Sequence, residues 1–302
     1  MGGVFHWLDA MNLEDNFLLD RIMSYREGTF YLYPGHAIKT KNQAVDFVNR
    51  NGYIFFWPNK GISLPSLWTA VAGDRPVADE HDDPGHVTWG WKDAMLGKKI
   101  WYYGRILRRR NTIVSLEKIP YFYALTENYG DPDEDYLIQY EQGRLTREAK
   151  IVYEALLQQG PLDTIALRKI THLTSKESDS RFNRALEDLQ IDLKILPVGV
   201  SEAGAWHYAF IYDLVPHHFP EIQEQARFIT EDAARRELVL LYFKMMGGAE
   251  FRDLTRLFGW KIEVVEKTIQ QLTHANILTR GINIPSSKWE WITLSSWWNE
   301  VS

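Results

Sequence analysis

The order of helical and strand-like segments between residues 146 and 214 constrains the fold of this chain more than any other feature. Thr146 and Asp163 are the predicted N-caps of two successive helices, and a third helix is predicted from about 175 to 190. Two strand-like segments joined by "SEAG" follow, "LKILPVGV" and "AWHYAFIYDL". Three helices followed by a β-hairpin form the pattern of a winged helix-turn-helix, whose third helix normally enters the DNA major groove.

The same order of segments returns after Thr230. The stretches "EDAARRELVLLYFKMMGG", "AEFRDLTRLFG" and "KIEVVEKTIQQLTHA" predict three helices, the second of which is stopped by Gly259. The stretch "ILTRGINIPSSKWEWITL" then predicts strand, turn and strand. The chain is therefore predicted to carry a duplicated module at the level of pattern.

The first 135 residues predict a less regular α/β region. Thr40 and Gln43 form a capping-box pair before the helix "QAVDFVNRN", and the aromatic run that follows is a predicted short strand. "SLPSLWTAVAG" predicts another helix, and "IWYYGRILRRRNTIVSL" predicts helix, basic turn and strand. The turn-rich "ENYGDPDEDYL" is the predicted domain boundary.

We therefore predict an α+β fold that is mainly helical and contains tandem winged helix-turn-helix modules. The predicted domains are an N-terminal winged-helix-like region (1–135), a winged helix (136–220) and a second winged helix (221–302). The wing aromatics Trp206, Tyr208, Phe210 and Tyr212 alternate, so they should share the face that meets the core, with His207 on the other side.

Composition removes several classes of function. The chain has no cysteine, which excludes disulfides, thiolate catalysis and thiolate-bound metal sites. The sequence shows neither a secretory signal peptide nor an apolar run long enough for a membrane span, so we expect a cytoplasmic protein without a membrane partner. No glycine-rich phosphate loop is present, and no Ser-His-Asp set can be singled out.

Positive charge is concentrated in two segments although the formal net charge is −6. If 100–110 is helical, Arg105, Arg108 and Arg109 fall on one side, and Arg110 extends the patch. Arginine forks bind phosphate bidentately, so these residues are candidate contacts to double-stranded DNA. On the third helix of the first winged helix the candidates are Lys176, Arg181 and Arg184, with Asp179, Glu187 and Asp188 diluting their charge. The alternative for each patch is a solvated structural face.

Other candidate sites are weaker. The acidic stretch 79–83 and the pair His217-His218 could bind a metal, but neighbouring residues seldom converge on one ion, so a solvated loop is the preferred interpretation of 79–83. In the second winged helix Lys261 and Lys267 are offset by Glu263 and Glu266. Because winged helices often bind proteins, that module is a candidate site for a protein partner.

The chain resembles a known family in five segments taken in order. They are "GYIFFW" (52–57), "SLW" (66–68), "WYYGRILRRRNTIVSLEKIP" (101–120), "SRFNRALEDLQ" (180–190) and "GAWHYAFIYDL" (204–214). Over roughly residues 40–285 this order resembles the bacterial winged-helix DNA glycosylases that unhook interstrand crosslinks, of the AlkZ/YcaQ type. The resemblance implies several winged-helix modules forming a cleft for duplex DNA, and a monofunctional glycosylase that needs no metal or other cofactor.

The sequence departs from that family at its catalytic motif, Gln-x-Gln or Gln-x-Asp. The corresponding positions hold Phe55 and Trp57, which can neither orient a water nor stabilise an oxocarbenium charge. Strand alternation predicts that Phe56 faces the core while Phe55 and Trp57 line the cleft. The family's C-terminal β-barrel is also expected to be absent or reduced.

Three functions remain open. The leading interpretation is a DNA-binding protein of this superfamily, acting in damage recognition or regulation without base excision. The alternatives are an active glycosylase with catalytic residues elsewhere in the chain, and a winged-helix scaffold that binds proteins.

Overall fold

The computed structural model describes residues 18–204, 207–282, 284 and 287–298. The chain divides into two compact units, each built from separate stretches. The first unit comprises Met1–Ala44, Trp57–Gly85 and Arg235–Ser302, and the second comprises Val45–Phe56 and His86–Ala234. The division into three domains at about 135 and 220 stays a prediction.

The chain has described helices and strands along most of its length. The helices are α1 (described over 18–29), α2 (Lys41–Asn51), α3 (Leu67–Ala72), α4 (Val87–Met95), α5 (Ile119–Tyr123), α6 (Asp135–Glu141), α7 (Arg147–Gln159), α8 (Thr164–Ile170), α9 (Asp179–Ile191), α10 (Val215–His218), α11 (Pro220–Ala226), α12 (Glu231–Met246), α13 (Phe251–Phe258), α14 (Ile262–His274) and α15 (Ser295–Trp298). The strands are β1 (Tyr53–Phe55), β2 (Trp101–Arg105), β3 (Asn111–Ser115), β4 (Leu162–Asp163), β5 (Ile195–Ser201), β6 (Ala209–Leu214), β7 (Gly248–Glu250), β8 (Leu278–Ile282) and β9 (Trp291–Leu294).

Three parts of the chain share one topology. Each runs helix, strand, helix, helix, strand, strand, and its three strands form a small antiparallel sheet in which the last strand lies in the middle. The sheet orders are β1-β3-β2, β4-β6-β5 and β7-β9-β8. The three helices and the final two strands follow the order predicted from the sequence for 146–214 and for the part after Thr230, whereas the short strands β4 and β7 between the first two helices were not predicted. We call the second and third of these parts the middle (147–214) and C-terminal (231–294) winged helices.

Side-chain caps explain where the helices begin. The Thr146 hydroxyl accepts a hydrogen bond of 3.2 Å from the Ala149 N–H at the start of α7. Asp163 accepts bonds from the backbone N–H groups of Ile165 and Ala166, which starts α8. Thr230 caps α12 in the same way, at 3.2 Å from the Ala233 nitrogen. Each cap satisfies a backbone donor that the helix itself cannot pair.

The core of the middle winged helix lies where its helices meet its sheet, within the second unit. The apolar stripe predicted for α9 is confirmed, because Phe182, Leu186 and Leu189 are buried there with Leu156 of α7 and Leu214 of β6. This apolar contact leaves Arg181 and Arg184, on the N-terminal half of the opposite side of α9, in solvent. The face of α9 that could meet a ligand is thereby fixed.

The predicted helix over 100–110 is wrong. Residues 101–105 form strand β2, which pairs antiparallel with β3 from Trp101↔Ser115 to Arg105↔Asn111. The run Trp101, Tyr102 and Tyr103 favours a strand, since aromatic side chains suit a pleated, buried surface. All three are buried. The arginines that follow therefore occupy the tip of a β-hairpin instead of one side of a helix.

The wing of the middle winged helix follows the predicted alternation where it is described. Tyr208, Phe210 and Tyr212 share one face, with ring centroids 5.5 Å and 6.2 Å apart in succession. His207 is exposed. Trp206, which was expected on the core face, lies outside the described residues.

From Arg235 onward the C-terminal winged helix belongs to the first unit, where α1 packs against it. Leu18 and Ile22 of α1 are buried together with Ile282 at the end of β8. Arg26 donates hydrogen bonds to the carbonyl oxygens of Met246 (3.1 Å) and Gly248 (2.5 Å). None of the described helices is long and apolar enough to cross a membrane.

Candidate nucleic-acid interface

The β2–β3 hairpin is tied to helix α9 in the second unit. Arg105 forms an ion pair with Glu187, and its backbone N–H donates a 3.2 Å hydrogen bond to Oε1 of Gln190. Nη1 of Arg109 lies 2.7 Å from Oδ1 of Asp188 and 3.5 Å from Oε2 of Glu187. The structure therefore brings the two predicted basic segments together, which sequence reasoning had treated separately.

The tip of this hairpin is a tight turn made of arginines. Arg108 has φ 52° and ψ 35°, and Arg109 has φ 59°, so both lie in the left-handed region. The Arg110 N–H donates a 2.9 Å bond to the Leu107 carbonyl and closes the turn. Arg108 and Arg110 are exposed, and neither has an ion pair with any residue in the described part of the chain.

The remaining predicted contacts lie at or near the N-terminal half of α9. Lys176 is exposed in the short 3-10 turn before the helix. The Arg181 side chain is 59% exposed, with Nη1 3.0 Å from Oε1 of Glu148. The Arg184 side chain is 73% exposed, and its Nε is 3.7 Å from Oδ2 of Asp188. This half of α9 thus presents cations to solvent.

Two carboxylates of α9, those of Glu187 and Asp188, pair with arginines of the β2–β3 hairpin. Glu187 and Asp188 were expected to dilute the positive charge of the helix. In the structure both are partly buried beneath Arg105 and Arg109, which pair with them. Their negative charge is therefore largely compensated at the place where the hairpin meets the helix.

The expected position of Phe55 is wrong. Phe55 and Phe56 are both fully or almost fully buried, with no more than 1% of either residue exposed, so Phe55 does not line an open cleft. Alternation fails to separate them because β1 is buried on both faces. In the second unit, Phe56 meets Tyr103 edge-on at 6.0 Å between centroids. In the first unit, Trp57 is half-buried, with its ring 5.3 Å from that of Trp68.

A buried lysine that no sequence motif pointed to lies next to Phe56. The Lys92 side chain is 3% exposed, and its Nζ donates to the Tyr208 hydroxyl (2.8 Å) and pairs with Oδ1 of Asp93 (2.8 Å). Nζ also lies 4.5–5.9 Å from the centroids of Phe56, Trp89, Tyr103, Tyr208 and Phe210. Burial lowers the pKa of Lys92, and the hydrogen bond to Asp93 opposes that change.

This arrangement holds the ammonium in place. The aromatic faces and the carboxylate replace the water that the charge loses on burial. The only available sequence signal was the pattern "WGWKD", which cannot say which rings from β2 and β6 converge on the lysine. The amine is enclosed and paired, so we assign Lys92 a structural role. It joins α4 to Tyr208 and Phe210 of the wing.

A cavity of about 460 Å³ lies within the first unit, beside the loop that follows Trp57. Its described lining includes one guanidinium and three carboxylates, those of Arg26, Glu27, Asp74 and Asp253. Burial raises the pKa of Asp253 and lowers that of Arg26. The acidic character of the cavity does not suit a phosphate backbone, so it is not part of the candidate interface.

The acidic loop is ordered by its own neighbours in the first unit. Asp83 pairs with Arg75 at 2.6 Å and accepts a 2.7 Å bond from the Gly85 N–H. In the second unit, Nδ1 of His217 lies 3.5 Å from Oδ1 of Asp213. Among the described residues, no group of three or more His, Asp or Glu side chains is arranged to hold a metal ion.

Comparison with known proteins identifies the family. A profile of the family described as AlkZ related matches residues 38–259. The chain belongs to the AlkZ-related family. No curated protein sequence matches it. Among solved structures, the Streptomyces sahachiroi DNA glycosylase AlkZ matches with a TM-score of 0.58 and 14% sequence identity, over 93% of this chain and 70% of that one.

The AlkZ-related assignment confirms the resemblance seen in the sequence and the α+β, mainly helical fold. At 14% identity the likeness to the Streptomyces protein is a likeness of fold. The protein partner expected for the C-terminal winged helix stays a prediction.

Proposed function

We propose that this AlkZ-related protein binds double-stranded DNA through helix α9 and the arginine turn of the β2–β3 hairpin, without excising bases. One observation carries the proposal: Arg108 and Arg110 are exposed and have no described counter-ion, on a hairpin fixed to the third helix of a winged helix. Third helices of this kind of module commonly enter the major groove. The similarity to a structure named as a DNA glycosylase supports the same choice of ligand.

Charge arrangement supports nucleic acid over an acidic protein surface. The cations are arginines in the main, and the arginine fork matches phosphate oxygens in a bidentate manner. Of the acidic groups of α9, Glu187 and Asp188 are paired with Arg105 and Arg109, and Asp179 is paired with Arg168. The net charge of −6 then limits binding to this local patch.

The absence of base excision is proposed from the motif positions. Where relatives are expected to carry amide or carboxylate side chains, Phe55 is a buried aromatic and Trp57 a half-buried one. A phenyl or indole ring cannot stabilise the charge that develops when an N-glycosidic bond breaks. That electrostatic contribution is usually worth about 3–4 kcal/mol of barrier per donor removed.

The test is binding of the full chain to duplex DNA, intact or alkylated, over a salt series. Replacing Arg108, Arg109 and Arg110 together with Ala should weaken binding and reduce the log–log salt slope by about one for each phosphate that is no longer bound. Arg227→Ala is the matched control, since Arg227 is half-exposed and pairs with Glu224 at 3.3 Å. An unchanged slope would remove the turn from the interface.

The same samples should be analysed for abasic sites. The expected result is no product above the level of a no-protein blank. Product that follows the protein through purification and survives replacement of Phe55 and Trp57 by Ala would support the alternative of an active glycosylase. The search for catalytic residues would then move elsewhere in the chain.

A further inference from the structure

The backbone of the hairpin tip is unusual for the residues it carries. A β-turn with both central residues at positive φ normally holds Asn-Gly or a similar pair, because the Cβ of an L-residue is crowded by a backbone carbonyl oxygen there. Here the central residues are Arg108 (φ 52°) and Arg109 (φ 59°). The strain is about 1 kcal/mol or more per residue, so something other than stability favours arginine at this turn.

The two arginines have different partners. Arg109 is paired with Asp188 and Glu187, which fixes the turn against α9. Arg108 is exposed and has no ion pair with a described residue, and Arg110 leaves the turn in an extended conformation (φ −100°, ψ 147°). The hairpin thus holds one arginine as an anchor and offers the others to a ligand.

We propose that the arginine turn, Leu107–Arg110, inserts Arg108 into the minor groove of A·T-rich DNA. This inference rests on the proposed function and names the kind of duplex that the protein prefers. The β-turn Leu107–Arg110 at the hairpin tip is narrower than an α-helix, which needs the major groove, so the turn can approach a groove about 6 Å wide. A narrow A·T minor groove has an enhanced negative potential that attracts an inserted basic side chain.

Arginine at this turn favours insertion into the minor groove over contact with a backbone phosphate. A phosphate on the outside of the duplex can be reached by a flexible lysine from almost any backbone conformation. A side chain that enters a groove must shed water, and guanidinium is more weakly hydrated than ammonium. A rigid turn also reduces the freedom lost on binding, which accounts for a strained but fixed backbone.

The experiment measures affinity of the full chain for two duplexes of about 16 base pairs with identical flanks, one with a central A·T tract and one with a G·C tract. Arg108→Asn should raise the melting temperature by about 2 °C, since Asn tolerates the left-handed region. It should weaken binding to the A·T duplex by about tenfold and to the G·C duplex by less than about threefold. Arg227→Ala should leave the ratio of the two affinities unchanged.

Arg108→Lys distinguishes insertion into the minor groove from phosphate binding, because it keeps the charge and the strained backbone. We expect it to lose most of the A·T preference while keeping the salt slope. Equal losses on both duplexes with Arg108→Asn, or full A·T preference with Arg108→Lys, would mean that Arg108 binds phosphate only and overturn the inference. Failure of the unmodified protein to bind either duplex would overturn the proposed function as well.

Discussion

Lys92 donates a 2.8 Å hydrogen bond to the hydroxyl of Tyr208, and that hydroxyl donates in turn to Oδ1 of Asp93 at 3.0 Å. The chain of bonds connects α4 with the segment that leads into the wing strand β6, across 115 positions in sequence. It encloses a positive charge among aromatic rings, where water cannot replace a missing partner. The buried ammonium of Lys92 therefore depends on the Tyr208 hydroxyl, and the first prediction tests this dependence.

Tyr208→Phe should lower the free energy of unfolding by about 1.5–3 kcal/mol, because it removes a hydrogen bond to a buried charged group. Urea unfolding followed by tryptophan fluorescence measures the change. Tyr129→Phe is the matched control, since Tyr129 is exposed and should change stability by less than about 0.5 kcal/mol. Equal effects of the two substitutions would show that the lysine does not depend on this hydroxyl.

Glu187→Gln should increase affinity for duplex DNA by about fivefold at low salt. The change removes one negative charge from α9 and weakens the ion pairs of Arg105 and Arg109. The net positive charge that faces the DNA phosphates therefore increases. Fluorescence anisotropy over a salt series measures both affinity and slope. Glu224→Gln, which removes a charge from an ion pair with Arg227, should have little effect. A loss of affinity with Glu187→Gln would mean that the ion pairs are needed to build the interface.

Lys194 should make stability depend on pH above neutrality. Burial lowers its pKa from 10.5 to about 8, despite the neighbouring Asp192 and Asp135, while Nζ donates to Asn128 at 2.6 Å. Between pH 8 and 10.5 the unfolded chain therefore binds more protons at this group than the folded chain, so stability rises with pH. The expected gain is about 1.5 kcal/mol from about pH 7.5 to 9.5.

Urea unfolding at several pH values measures that gain. The window ends below about pH 10, because burial raises the pKa of Tyr123 and Tyr212 to about 12. Those tyrosines stay protonated in the folded state while the unfolded ones ionise, so stability falls again above about pH 10. Lys194→Met should flatten the rise between about pH 7.5 and 9.5, and an unchanged rise would assign it to another group.

Phe55→Gln introduces an amide at the position predicted to correspond to the first residue of the family motif, and we expect it to damage the fold. The side chain is fully buried, so the amide would lack water and the ring would leave a cavity. We expect Phe55→Gln to lower the free energy of unfolding by about 3–5 kcal/mol, and Phe55→Leu to lower it by about 1 kcal/mol. Thermal unfolding measures both. A stable Phe55→Gln variant would show that this position can open toward solvent as in a working cleft.

Local sequence signals located the candidate interface in part. Thr146, Asp163 and the stripe Phe182, Leu186 and Leu189 placed α9 and its solvent face, because caps and helical periodicity depend on neighbouring residues. The segment after 100 was misjudged as a helix. Its strand conformation depends on pairing with β3, which periodicity within the segment does not reveal.

The sequence by itself determined the repeated order of helices and strands, the basic character of residues 105–110 and the aromatic run at 55–57. Only the tertiary structure decided which charges are compensated. Arg105 meets Glu187 across 82 positions, and Lys92 meets Tyr208 across 116. It also buried Phe55 together with Phe56. Periodicity describes one element at a time, whereas ion pairing and burial depend on which elements pack against each other.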